Sequence, residues 1–166
     1  MFRSWAPPLA WGAGLVLAGM GAAAIVGDAS SVAARGIGIL LVTLGLTSLA
    51  WGAASLAQGR IVTPRLALGG VIGAVALVGA VFAATDGRAS LIGAAAAVAL
   101  LLVTAGMIAA ERRHPAPPSS SVRIIPLLLA AALVAVVATP ALGAVQDAAL
   151  LRDDGTVVVV DPHQGH

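Results

Sequence analysis

The chain contains no cysteine and no lysine, and only 10% of its 166 residues carry a charge. The lack of cysteine excludes disulfides, thiolate metal sites and a cysteine nucleophile. The lack of lysine excludes a P-loop, and a formal net charge of +2 does not suggest the clustered basic face that binds nucleic acid. Soluble domains carry about 25% charged residues, so this chain has too little charge to cover a water-exposed surface.

Long apolar runs fill the chain instead. The sequence is 60% hydrophobic, with a mean hydropathy of +1.03. About 20 apolar residues in a helix cross the roughly 30 Å of a bilayer's hydrocarbon core. The runs lack the two-residue alternation of barrel strands, so they predict an all-α membrane fold. We expect a bundle of five transmembrane helices within residues 1–145, with spans at 9–26, 36–57, 66–85, 89–110 and 124–145.

The arginines predict how this bundle is oriented, because the cytoplasmic ends of membrane spans carry an excess of basic residues. One end of the bundle, formed by the N-terminus and the second and fourth connections, carries Arg3, Arg60, Arg65, Arg112, Arg113 and Arg123. The opposite end carries Arg35, Arg88 and Arg152. The asymmetry predicts a cytoplasmic N-terminus and an extracytoplasmic C-terminus. It also places Trp5, Trp11 and Trp51 near the inner interface, which suits their indole rings.

Two processing events are alternatives to the intact five-span chain. The first span follows a basic start at Arg3 and resembles a signal peptide, but it is longer than the usual 7–15 apolar residues. We therefore expect it to be retained. Pro140 is expected to kink or end the fifth helix, and the small residues after it resemble a cleavage site near Gly143. Cleavage there would release the tail, and a kinked helix end is the preferred interpretation.

Gly69 and Gly73 form a GxxxG motif in the third span, a spacing that lets two helix backbones approach closely. Glycines are also frequent in the first and second spans. Packing between the chain's own helices is the preferred interpretation of all of them. The alternative for Gly69 and Gly73 is a homodimer face.

The tail, residues 146–166, is predicted to carry a β-hairpin. Residues 148–152 and 156–160 would form its strands, and Asp153-Asp154-Gly155 would form the turn. A two-stranded hairpin is marginal in water, so its second strand is expected to contact another surface. Thr156, Val158 and Val160 are the candidate residues for binding an envelope protein partner.

The end of the tail offers a candidate metal site. Asp161, His163 and His166 are acceptable ligands for Zn, Cu or Ni, and Asp28 or Asp86 on the same side could supply a fourth. Closed structural sites usually show two well-spaced ligand pairs, which this segment lacks. A solvated polar tail without a cofactor is therefore the preferred interpretation.

The five spans, the Thr139-Pro140-Ala141-Leu142 exit and the histidine-containing tail resemble small uncharacterised multipass membrane proteins of actinobacteria. Abundant Ala, Gly, Val, Pro and Arg, all with GC-rich codons, also indicate a high-GC bacterial genome. The resemblance implies a bacterial plasma membrane protein. It brings no function and no site residues.

The spans contain no Asp, Glu, Lys, Arg or His, although transporters and intramembrane enzymes usually bury an ionisable group. We therefore expect a non-enzymatic accessory or scaffold protein whose outward tail engages an envelope partner. The alternative is a small transporter or channel, handling a metal ion offered to His163 and His166.

Overall fold

The computed structural model describes residues 5–26, 31–59, 61–85, 89–113 and 124–150. Every helix or strand in these ranges is an α-helix, and each of the five is long and apolar enough to cross a membrane. The prediction of five long apolar helices is therefore confirmed. The helices are α1 (Ala6–Val26), α2 (Val32–Gln58), α3 (Pro64–Ala84), α4 (Leu91–Arg113) and α5 (Ile124–Leu150).

The helices begin where local chemistry favours a start. Pro7 and Pro8 lie in the first turn of α1, where a missing N–H costs little, so α1 starts three residues before the apolar run. Ser31 caps α2 by accepting a hydrogen bond from the Ala34 amide at 3.1 Å. Pro64 occupies the start of α3. These caps and prolines extend three helices beyond the stretches expected from hydropathy alone.

Of the two alternatives predicted for Pro140, a kink or a helix end, the helix end is wrong. Pro140 lies inside α5, which continues to Leu150 and does not end near the proline. In hydrocarbon the alternative to a helix is unpaired backbone, so continuing the helix past a proline costs less than ending it. The strand expected at 148–152 is therefore wrong at residues 148–150, which are helical. Residues 151–166, with the rest of the predicted hairpin, lie outside the described residues.

α1 is the central helix of the bundle. Over its apolar window 56% of the residues are buried, against 22–39% for the other four helices. Leu9, Val16 and Leu17 are almost completely buried in the main hydrophobic core. α1 contacts all four other helices, whereas most of the remaining pairs are sequence neighbours. The span that most resembles a signal peptide is thus the one around which the others pack.

The contacts fix the direction of each helix. α5 runs parallel to α1, because Gly12 faces Val134 and Gly19 faces Leu142. α2 runs antiparallel to α1, with Gly14 opposite Gly45 and Gly21 opposite Gly38, and α4 is antiparallel to α5, with Gly93 against Val145. We call the end that holds the N-terminus of α1 the arginine end, since Arg65, Arg112 and Arg113 lie there. Arg35 and Asp147 lie at the opposite end.

The outer surface of the bundle is apolar. Leu66, Ile72 and Ile125 are more than 70% exposed, and large aliphatic side chains project outward from every helix. Soluble proteins rarely expose such continuous apolar surface, whereas lipid chains cover it without cost. Length, hydropathy and this surface together support a multipass membrane protein.

Candidate functional site

The backbones of α1 and α2 approach each other closely along a line of glycines. A Cβ atom placed on Gly45 would lie 2.5 Å from the Gly14 carbonyl oxygen, and one on Gly21 would lie 2.5 Å from the Gly38 carbonyl oxygen. Gly14 and Gly21 are seven residues apart, as are Gly38, Gly45 and Gly52. A seven-residue repeat keeps the same face of each helix at a left-handed crossing. Glycine at these positions therefore lets the two backbones touch along most of their length.

Two hydrogen bonds add to this backbone contact. The Ser48 hydroxyl donates to the Ala10 carbonyl at 2.8 Å, and the Trp11 indole N–H donates to the Leu49 carbonyl at 3.0 Å. Both bonds cross from one helix to the other, and bonds of this kind in membranes contribute about 0.6 kcal/mol on average. The α1–α2 pair is therefore fixed in register by polar contacts as well as by glycine packing.

Gly69 and Gly73 do not take part in this kind of packing. Both are exposed on α3, and a Cβ atom on either would meet no atom within 4 Å. The intrachain packing preferred for the glycines thus occurs on α1 and α2 but not at this motif. The homodimer face stays a prediction for Gly69 and Gly73.

A cavity of about 260 Å³ lies between α2 and α3, with α1 and α4 behind it. Its back wall is buried and apolar, and it includes Leu17, Ala74 and Leu101. Exposed residues at its front, Thr47 and Leu66, form an opening toward the surrounding membrane. We call this space the α2–α3 cavity. A closed apolar cavity of roughly 150 Å³ already accommodates benzene, so its volume is sufficient for part of a hydrocarbon chain.

The end of the cavity nearest the arginine end has a fixed rim. The Trp51 indole N–H donates to the Val62 carbonyl at 2.7 Å, which ties the chain before α3 back to α2. Gly59 ends α2 in the left-handed conformation with φ 58°, and its amide caps the helix carbonyls. Thr63 lies beside α3 with φ 44°, and its side chain makes no capping hydrogen bond. Trp51 and Thr63 both line the cavity.

Apart from the exposed Thr63, the polar side chains that line the cavity form hydrogen bonds within the protein. Thr104 and Thr47 donate to carbonyls one turn earlier in their own helices, at 2.7 and 2.8 Å, and Ser48 donates across to α1. Among the described residues, no buried side-chain nitrogen or oxygen lacks a hydrogen-bond partner. None of the described residues that line the cavity is ionisable. The chemistry of the wall therefore suits an apolar guest.

The candidate residues of the tail lie outside the described part of the chain. This applies to the metal candidates Asp161, His163 and His166, and to the partner-contact candidates Thr156, Val158 and Val160. The α2–α3 cavity was not predicted, and the expected packing of glycines within the chain did not specify that α1 and α2 meet through Gly14, Gly21, Gly38 and Gly45. The seven-residue glycine spacing is visible in the sequence and could have revealed the contact.

The comparisons with known proteins add no relative. No protein-family model, no curated protein and no solved structure matches this chain.

Proposed function

We propose that the protein is a non-enzymatic accessory or scaffold protein of the bacterial plasma membrane. Its N-terminus lies in the cytoplasm, and its outward tail engages an envelope partner through residues 156–160. The arginine end faces the cytoplasm in this proposal, because basic residues are retained on that side.

The observation that best supports an accessory role is the way in which the five helices pack. The spans pack around α1 through glycine contacts and short hydrogen bonds, and their buried polar groups are engaged internally. Such a bundle supplies a stable anchor. The polar residues beyond Val145 are then the natural place for specific recognition, since they carry four of the chain's seven acids and two of its three histidines.

Deleting residues 151–166 is expected to abolish crosslinking to the envelope partner while the bundle stays folded. The deletion begins after the last described residue of α5, so it removes none of the described packing. The measurement is photo-crosslinking in intact cells from a benzophenone residue at position 146, which is exposed and is present in both the full and the truncated chain, followed by mass spectrometry. The truncated chain should elute from size-exclusion chromatography as the full chain does.

Two further variants distinguish the contribution of the strand from that of the histidines. Val158→Asp with Val160→Asp should abolish the crosslink, because charge weakens an added β-strand, whereas His163→Ala with His166→Ala should retain it. Loss of the crosslink only in the histidine variant would overturn the strand proposal and favour metal-dependent binding at Asp161, His163 and His166.

The alternative function is a small transporter or channel for a metal ion. The wall of the α2–α3 cavity offers hydroxyl, indole and aliphatic groups rather than carboxylate or imidazole ligands. It therefore does not favour metal passage, and the accessory role is the better supported proposal. Metal flux into proteoliposomes containing the purified chain, well above that of protein-free vesicles, would reverse this preference.

A further inference from the structure

We infer that the α2–α3 cavity binds an anionic phospholipid, with one acyl chain inside the cavity and the headgroup at the arginine end. The inference concerns the membrane-embedded part of the chain and is independent of the tail. Three observations support this binding site: the shape of the cavity, the chemistry of its wall and the charge at its rim.

The shape suits a chain that lies along the membrane normal. The α3 residues that line the cavity run from Leu66 to Ala74, and those of α2 run from Leu44 to Trp51. At 1.5 Å per residue these segments are about 10–12 Å long, which is less than half of the hydrocarbon thickness. The cavity can therefore hold part of one acyl chain and leave the second chain in the bilayer.

The opening of the cavity faces the bilayer, which contains acyl chains. Leu66 is 74% exposed and lines the front of the cavity, whereas Ala74 and Ile108 at the back are each 1% exposed. A guest enters sideways from the bilayer without crossing an aqueous phase. Lipid is present at high concentration on this path, so a lipid chain is the occupant that the opening selects.

The rim carries the charge that selects the headgroup. Arg65 lies in the first turn of α3, between Thr63 and Leu66, which both line the cavity. Arg112 and Arg113 lie in the last turn of α4 at the same end of the bundle, where they outnumber the one acid of that turn, Glu111. The N-terminus of α3 adds a partial positive charge that favours phosphate oxygens. An anionic headgroup is therefore complementary to this rim.

The test uses Trp51 as a reporter, since its indole lines the cavity. Bromine atoms on an acyl chain quench tryptophan fluorescence only at close contact. The purified full chain is reconstituted in phosphatidylcholine vesicles that contain a minor fraction of brominated phosphatidylglycerol or, in parallel, brominated phosphatidylcholine. We expect the anionic lipid to quench at a fraction lower by a factor of about five or more, because each arginine near an anionic headgroup contributes about that factor and Arg65 is the one nearest the cavity lining in sequence. Trp51→Phe should remove this excess quenching.

Two glycines of α3 provide matched variants. Gly70 lines the cavity and Gly79 is exposed outside it, and a Cβ atom on either meets nothing within 4 Å. Gly70→Leu should fill the cavity and abolish the excess quenching, while Gly79→Leu should leave it unchanged. Arg65→Gln keeps the cavity and should reduce the preference for the anionic lipid about fivefold.

Three results would overturn the inference. Excess quenching that persists in folded Gly70→Leu would place the lipid elsewhere. Equal quenching by the two lipids would show that the rim does not select charge. Quenching by neither lipid beyond the Trp51→Phe level would show that no acyl chain enters the cavity. If Gly70→Leu fails to fold, Arg65→Gln still decides whether the rim selects the headgroup.

Discussion

Replacing Gly45 with leucine is expected to separate α1 from α2 and to prevent the bundle from folding normally. The Cβ atom alone would lie 2.5 Å from the Gly14 carbonyl oxygen and 3.0 Å from the Ala18 amide nitrogen. Both neighbours are backbone atoms of a central helix, so they cannot rotate away as a flexible side chain would. Overpacking in a core usually costs about 1–3 kcal/mol, and a backbone contact should place this variant at or above the upper value.

Gly36→Leu is the matched control on the same helix. Gly36 is exposed on α2, and a Cβ atom there meets nothing within 4 Å, so the change should alter stability by less than about 0.5 kcal/mol. The measurement is the midpoint of unfolding when sodium dodecyl sulfate is titrated into dodecyl maltoside micelles. Equal midpoints for Gly45→Leu and Gly36→Leu would show that α1 and α2 do not meet through this glycine face.

Exchanging the central helix for a generic span is expected to destroy the bundle even though the chain still inserts. In this variant, residues 6–26 are replaced by an equally long leucine–alanine sequence with the flanking residues unchanged. The generic span keeps the hydrophobic length and the topology signals, but it lacks the glycines that face α2, α4 and α5. Because α1 contacts all four other helices, the remaining spans have no common partner to pack on. We expect aggregation and near-complete loss of the monodisperse peak in size-exclusion chromatography.

Changes restricted to the lipid-facing side of α1 provide the control for this exchange. Leu15, Ala22 and Val26 are exposed on that helix, so Leu15→Ile, Ala22→Leu and Val26→Leu together should leave the elution profile unchanged. A generic span that supports the same profile as the native chain would show that α1 is an interchangeable anchor, as a cleaved signal segment would be.

The number of long apolar helices was predictable from the sequence, because charged side chains are costly to bury in hydrocarbon. The apolar runs contain no ionisable residue, and the cost of burying one in lipid makes that separation a strong signal. The helix ends were predicted less well. Hydropathy contains no information on helix caps or on prolines in a first turn. α1 therefore starts earlier than expected, with Pro7 and Pro8 in its first turn, and α2 starts earlier because Ser31 caps it. Hydropathy and the proline rule also misplaced the end of α5. The helix continues past Pro140, because a helix keeps its backbone hydrogen bonds satisfied in the membrane.

The packing was harder to predict, because glycine composition does not specify which helix face meets which partner. Gly69 and Gly73 have the best-known association spacing, yet they face outward, while the contact inside the bundle uses glycines seven residues apart at Gly38 and Gly45. The α2–α3 cavity is beyond sequence reasoning for a different physical reason. Its volume depends on how far α2 and α3 diverge, and that distance is set by side chains on four helices at once.

Cysteine labelling distinguishes a five-span bundle with an outward tail from other topologies, because the native chain has no cysteine. Gln164→Cys is placed in the tail, and Ser119→Cys is placed between α4 and α5 on the arginine side. Intact cells are treated with a membrane-impermeant maleimide, and the purified proteins are weighed. We expect a full-length mass with label on Gln164→Cys, and label on Ser119→Cys only after permeabilisation. Label on Ser119→Cys in intact cells, with Gln164→Cys labelled only after permeabilisation, would contradict the orientation. Labelling of both positions in intact cells would place them on the same side of the membrane, which would contradict the odd number of spans.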